Sequence, residues 1–233
     1  MKMAILADIH GNLPALEAVL ADVDREGCDA ICVLGDVAGY YPMLNECVEL
    51  LQERHCAHVI GNHDYYLLTG QGCPRSQAAT RCLALQAKTL KGSTRTWLAD
   101  SRLVETDGRE IMMVHGTPED PLEGYARSLT ASWVEALPVK RLFCGHTHVQ
   151  FLYQRDDRVF CNPGSVGQPR DGIPGAPFAI WDGERVELRR SSYDLESIVQ
   201  SMKAAGFEDY YYTNLISGTR LGGGIDSIEI SEP

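Results

Sequence analysis

The sequence predicts an α/β fold built on a parallel sheet, and three observations predict it. Short apolar runs alternate with stretches whose apolar residues recur at helical spacing. The runs end at Asp8, Gly35-Asp36, Gly61-Asn62, His115 and Gly145-His146, which places polar side chains at the strand ends where open α/β sheets collect ligands. Five of the seven histidines lie in these end segments, a sorting that scattered core or surface histidines would not show.

The elements follow in order. Residues 3–7 are an apolar run before Asp8 and read as a buried strand. Asn12 is placed to cap the next helix, and Pro14 sits in its first turn, where a missing N–H is harmless. Leu13, Leu16, Val19, Leu20 and Val23 repeat at helical spacing, and Gly27 closes the helix. Residues 30–34 form a second strand, 43–53 a helix and 57–60 a third strand. This βαβαβ alternation implies parallel strands joined by right-handed crossovers. Residues 75–100 read as mainly helical and cover the sheet. A strand is expected at 110–114, a helix at 130–137 before Pro138, and a strand at 141–144. Shorter strands are expected at 149–154, 158–161, 177–181 and 185–190, the last two joined by an Asp182-Gly183 turn, and a helix at 194–205. Residues 1–216 are read as one domain. Residues 217–233 are read as a Gly-rich, acidic tail without a strong pattern, mobile or packed on a partner.

Composition narrows the function. With 44% hydrophobic and 23% charged residues, the 233-residue chain is ordinary for a soluble globular protein. No apolar run reaches the roughly 18 residues that span a bilayer. The first acid, Asp8, comes too early for a signal-peptide apolar region, which points to a cytoplasmic protein. A net charge of −11 opposes long-range attraction of nucleic acid or an anionic membrane. It leaves room for an anionic substrate, because bound cations invert the field locally. The eight cysteines form no Cys-x-x-Cys pair and read as small buried hydrophobes in a reducing compartment.

The strand-end residues point to metal chemistry. Asp8 and His10 are two apart, as are His146 and His148, so each pair can aim at one ion. Asp36 offers a carboxylate able to bridge two cations, Asn62 an amide oxygen and His115 an imidazole. These seven side chains are too many for one tetrahedral zinc. Mixed oxygen and nitrogen donors suit Mn²⁺, Fe, Zn²⁺, Ni²⁺ or Co²⁺ better than Mg²⁺ or Ca²⁺.

The order Asp-x-His, Gly-Asp, Gly-Asn-His-Asp, His-Gly, Gly-His-Thr-His over residues 8–148 closely resembles the calcineurin-like metallophosphoesterase superfamily. Asn162-Pro163-Gly164-Ser165 and Pro169-Arg170-Asp171 resemble its small bacterial and archaeal branch of predicted phosphodiesterases, so the resemblance covers nearly the whole chain. It implies a four-layer α/β/β/α sandwich of two packed mixed sheets. It implies one metal on Asp8, His10, Asp36 and His148 and a second on Asp36, Asn62, His115 and His146, with Mn²⁺ the first choice. A hydroxide bridging the pair would attack phosphorus in line. His63 would protonate the leaving oxygen, and Asp64 would fix the His63 tautomer. Arg170 would bind a phosphate oxygen, or else form a salt bridge to Asp171 or a neighbouring acid. The implied activity is a phosphodiesterase acting on a small-molecule phosphoester. A protein phosphatase or a dinucleoside-polyphosphate hydrolase on the same site is the alternative. A non-catalytic metal-binding scaffold is disfavoured, because such a chain is expected to lose the acid that His63 represents. The resemblance also implies a homodimer or higher homo-oligomer. Asn162 to Ser165 read as a turn supporting the site, His55 and His58 as structural, and Tyr210-Tyr211-Tyr212 as packing or a subunit contact.

Overall fold

A computed structural model of the protein describes residues 1–231. The first βαβαβ unit is β1 (Met3–Leu6), α1 (Leu13–Arg25), β2 (Ala30–Val33), α2 (Leu44–Glu53) and β3 (Ala57–His58). The Asn12 side chain caps α1 by accepting from Ala15 N, and the helix turns Ala15, Leu16, Val19, Leu20 and Val23 inward. The covering helices are α3 (Asn62–Thr69), α4 (Gln77–Thr89) and α5 (Gly92–Ala99). There follow β4 (Val104–Thr106), β5 (Ile111–Val114), β6 (Ser128–Thr130), α6 (Ala131–Glu135) and β7 (Arg141–Cys144). The chain continues through β8 (Gln150–Arg155), β9 (Arg158–Pro163), β10 (Ala176–Trp181), β11 (Val186–Ser191) and α7 (Leu195–Ala204) to β12 (Glu229–Ser231).

Two five-stranded mixed sheets result, ordered β11-β10-β1-β2-β3 and β4-β5-β7-β9-β8. The strands β1, β2 and β3 run parallel in one sheet, and β5, β7 and β9 run parallel in the other. The late strands do not make a sheet of their own. The β10–β11 hairpin, turned at Asp182, completes the first sheet by pairing antiparallel with β1, while β8 and β9 complete the second.

Three apolar clusters separate four layers. Strand alternation sends Ala4 and Leu6 of β1 toward the helices and Ile5 toward the opposite sheet. Between the sheets Ile5, Cys32 and Leu34 meet Phe143, Val159 and Cys161. Phe143 is fully buried there, and its loss to Ala is expected to cost about 3–5 kcal/mol. Beyond the second sheet, Val134 and Leu137 pack on Leu142 and Phe160. This is the four-layer α/β/β/α sandwich expected above.

Three strands and one helix escaped the sequence reading. Each of β4, β6 and β12 is three residues long and only partly buried, too short to show a period. Helix α3 begins on Asn62 because Gly61 caps it, with Asp64 Oδ2 accepting from Gly61 N at 3.0 Å.

The segment after residue 216 is not a loose tail. Gly218 O accepts from Gly172 N, Asp226 N donates to Arg170 O, and Glu229 N donates to Arg127 O. β12 then pairs in parallel with β6. Side-chain ion pairs at Asp226 hold it down, which no local sequence pattern announces. Glu232 and Pro233 lie outside the described residues.

Candidate metal centre

All seven predicted donors converge at the carboxyl ends of the two sheets, and none is more than 4% exposed. Asp8 and His10 follow β1, Asp36 follows β2, and Asn62 opens α3 just after β3. His115 follows β5, and His146 and His148 follow β7. The first sheet therefore supplies every carboxylate, and the second supplies only imidazoles.

Backbone geometry aims these groups. Asp8, His10, Asp36, His146 and His148 all adopt left-handed conformations, with φ of 54°, 55°, 53°, 65° and 59°. Such conformations are uncommon for side chains other than Gly, Asn, Asp and His, and they cluster where function needs them. Neighbouring glycines leave room. A Cβ on Gly61 would lie 2.1 Å from Asp36 Oδ1, and one on Gly39 would lie 2.1 Å from His10 Nδ1.

The tautomers follow from elementary hydrogen-bond accounting. His10 Nδ1 lies 2.9 Å from Ala38 O, His115 Nδ1 2.7 Å from Leu34 O, and His148 Nδ1 2.7 Å from Gln168 O. A carbonyl oxygen only accepts, so each Nδ1 carries the proton and each Nε2 presents a lone pair. His10 Nε2 and His148 Nε2 then face each other at 3.0 Å, two acceptors with no proton between them. Burial also pushes both rings well below the usual imidazole pKa, with nearby positive charge adding to the effect. Asp8 Oδ1 stands 3.5 Å from His148 Nε2 and 3.9 Å from His10 Nε2 and has no hydrogen-bond donor among the described residues. A cation among these three groups satisfies all of them at once.

Asp36 Oδ2 sits between the two halves of the cluster. It is 4.0 Å from His10 Nε2 on one side and 3.5 Å from His115 Nε2 on the other. His115 Nε2 in turn lies 3.0 Å from His146 Nδ1 and 3.1 Å from Asn62 Oδ1. Burial, followed by the neighbouring Asp64, drives the Asp36 pKa well up. Burial likewise raises Asp8, to about 8, against the opposing pull of His115. A dry pocket of uncompensated carboxylates and lone pairs is what divalent cations fit. Asp8, His10 and His148 form one group able to hold an ion; Asp36, His115 and His146 form another. A third convergence joins His10, Asp36 and His63, so proximity alone does not separate His63 from the ligands.

The remaining predicted residues are placed as follows. His63 N donates to Asp36 Oδ1 at 2.8 Å, while the His63 ring Nδ1 has no partner among the described residues. Burial, then Arg170, pushes the His63 pKa down to about 3. Asp64 does not orient His63. Its Oδ1 accepts from Ala38 N at 2.8 Å and its Oδ2 from Gly61 N, so the carboxylate ties together the loops behind Asp36 and Asn62. The capping demand of α3 outweighs the tautomer role expected for Asp64. Arg170 does not pair with Asp171, which takes Arg190 at 2.6 Å. The Arg170 guanidinium instead bonds Tyr40 Oη at 3.2 Å and Gln168 Oε1 at 2.7 Å, inside the cavity. Asn162 Nδ2 donates to Gly145 O, and Ser165 Oγ donates to Asp8 O, so the Asn-Pro-Gly-Ser turn braces the backbone of two donor segments. His58 stacks on Trp97, with ring centroids 3.7 Å apart.

Above the donors lies a cavity of about 840 Å³. Its walls include Arg75 and Ser76 from the loop before α4, Tyr125 and Arg127 from the loop before β6, and Tyr210, Tyr211 and Arg220 from the C-terminal region. None of the wall residues beyond Arg170 was singled out from the sequence as contacting substrate. They share no motif or spacing that would have marked them. Among the described residues no helix is long and apolar enough to cross a membrane.

Comparison with known proteins agrees with this geometry. The family described as the calcineurin-like phosphoesterase superfamily domain matches residues 1–185. An uncharacterized protein of Methanocaldococcus jannaschii, MJ0912, is 30% identical over 86% of this chain and 91% of its own length. Phosphodiesterase YfcE of Escherichia coli is 27% identical over 79% of this chain and 89% of its own. Among solved structures, a metallophosphoesterase from Sphaerobacter thermophilus superposes with a TM-score of 0.80 at 33% identity, covering 94% of this chain and all of that one.

Proposed function

The chain belongs to the calcineurin-like phosphoesterase superfamily, a family of metal-dependent phosphoester hydrolases, and on that premise we propose that it is a dinuclear phosphodiesterase. The observation that carries the dinuclear reading is Asp36 Oδ2, poised between His10 on one side and His115 on the other. One ion would be held by Asp8, His10, Asp36 and His148, and the other by Asp36, Asn62, His115 and His146. Bound there, two divalent transition-metal ions, with Mn²⁺ the first candidate, supply a water of lowered pKa and paired positive charge for phosphate oxygens.

The chain's own groups do the rest. Arg170, anchored by Gln168 and Tyr40 and without a carboxylate partner among the described residues, grips a non-bridging phosphate oxygen. His63 donates a proton to the leaving oxygen. Burial and the nearby Arg170 lower its proton affinity, and the negative charge of a bound phosphoester opposes that effect. Asp64 positions the loops that carry Asp36 and Asn62. The overhanging walls at residues 73–78 and 125–127 favour a small-molecule substrate over a phosphorylated protein surface. The eight free cysteines fit a cytoplasmic setting.

Turnover of bis-p-nitrophenyl phosphate is the direct test. Activity is expected with added Mn²⁺ and is expected to vanish with chelator, alongside about two metal ions per chain by elemental analysis. Absence of metal-dependent turnover of both diester and monoester substrates sinks the proposal.

A further inference from the structure

The cavity wall carries more positive charge than cleavage of one phosphate needs. Four guanidiniums, those of Arg75, Arg127, Arg170 and Arg220, face it, in a protein whose net charge is −11. Among the described residues two carboxylates pair with them. Glu123 pairs with Arg75. The buried Asp226 is shared, its Oδ2 3.2 Å from Arg127 Nη2 and its Oδ1 3.0 Å from Arg220 Nη2. Arg170 has no carboxylate partner among the described residues and is already committed to the phosphate that is cleaved. Two carboxylates for three outer guanidiniums leave the outer wall with a net positive charge, even though the Asp226 pairs also anchor the C-terminal segment.

These outer guanidiniums are also fixed in place. The Cζ atoms of Arg75 and Arg127 lie 4.9 and 4.7 Å from the centroid of the Tyr125 ring. That ring packs 4.0 Å from the ring of His146. Arg75 Nη2 itself lies 3.5 Å from His146 Nε2, so the wall charge reaches the edge of the metal cluster. Arg127 Nε, out of contact with water, has no acceptor among the described residues. Guanidiniums held in place by ion pairs and an aromatic ring are well suited to recognising phosphate. Because guanidiniums lie over Tyr125, its ring is not a free stacking platform, and the wall reads charge rather than a base.

We propose that Arg75, Arg127 and Arg220 form a second anion site, and that the substrate is a small phosphoester bearing a further phosphate besides the one cleaved. The inference rests on the phosphodiesterase reading and names its substrate class. It also gives the C-terminal segment a purpose, since Arg220 and Asp226 complete the site.

The test compares two esters differing by one phosphate: thymidine 5′-(4-nitrophenyl phosphate) with and without a 3′-phosphate. Both release 4-nitrophenolate, so one assay serves for both. With the Mn²⁺-loaded protein, kcat/KM is expected to favour the 3′-phosphorylated ester by about tenfold or more, chiefly through KM. Arg75→Met and Arg127→Met are expected to abolish most of that preference, and Arg127→Lys to restore part of it. Calorimetry should show the same pattern for thymidine 3′,5′-bisphosphate against thymidine 5′-phosphate. Circular dichroism melting checks that the variants fold, and Arg220→Met, in a surface turn, gives a milder loss of preference. Turnover of both esters without preference in the wild-type protein overturns the second anion site. So does a preference that survives in the folded Arg75 and Arg127 variants. Turnover of neither ester overturns the phosphodiesterase reading instead.

Discussion

The floor and the wall of the cavity are built by opposite means. On the floor, main-chain carbonyls fix three imidazoles, left-handed backbone aims five donors, and glycines stand where a side chain would collide with Asp36 or His10. On the wall, loops and the C-terminal segment are joined by side-chain ion pairs, and the Arg75 and Arg220 side chains are 45% and 48% exposed. The sheets dictate the floor, whereas the wall is set by side-chain pairs between separate loops, where sequence change is tolerated best. One scaffold can therefore keep its reaction while its substrate changes.

That contrast is tested most severely at Asp36. Asp36→Asn should cut turnover by about a thousandfold or more and lower bound metal below two ions per chain, read by elemental analysis. A variant that keeps both metals and its rate would remove Asp36 from the bridge. His63→Ala should retain the metals yet lose about a hundredfold or more on substrates with poor leaving groups, and much less with 4-nitrophenolate. Loss of metal in that variant would show that His63 is a ligand, as its approach to His10 and Asp36 allows.

Smaller effects are expected behind the floor and on the wall. Asp64→Ala strands Ala38 N and Gly61 N, and should cost about 1–3 kcal/mol of stability and weaken metal binding about 10- to 100-fold. An unchanged melting temperature would contradict the bracing role. Glu123→Gln removes a charge that pairs with Arg75 and accepts from Tyr66 Oη. It should shift KM only a few-fold, with kcat held, since it touches no floor residue. A large fall in kcat would erase the distinction between floor and wall.

Much of the floor was legible because its residues come in short local motifs at the ends of apolar runs. Asp8-x-His10 and His146-x-His148 announce themselves by spacing, and β1, β2 and β7 by composition. Their left-handed conformations were not legible, since Asp and His tolerate that region without requiring it. The wall left no trace. Arg75, Arg127 and Arg220 come from a loop before α4, a loop before β6 and the C-terminal segment, and only the tertiary fold brings them together. Asp64 shows a third kind of failure. The resemblance implied His63 as its partner, but α3, which the sequence did not announce, takes its carboxylate as a cap.

The position of β1 has a consequence for how the protein comes into being. β1 lies at the centre of its sheet, with Met3 beside Ala30 on one side and Trp181 on the other. Beyond its end, Val166 N and Gly167 N donate to Ala7 O and Asp8 O. A ribosome releases this strand before either neighbour, and its second neighbour and the braces for Asp8 emerge well over a hundred residues after it. Until then the nascent chain carries an open hydrophobic edge and an Asp8 segment without its braces. Closing so long a loop is slow, so the window in which a chaperone or a second nascent chain can capture β1 is built into the topology.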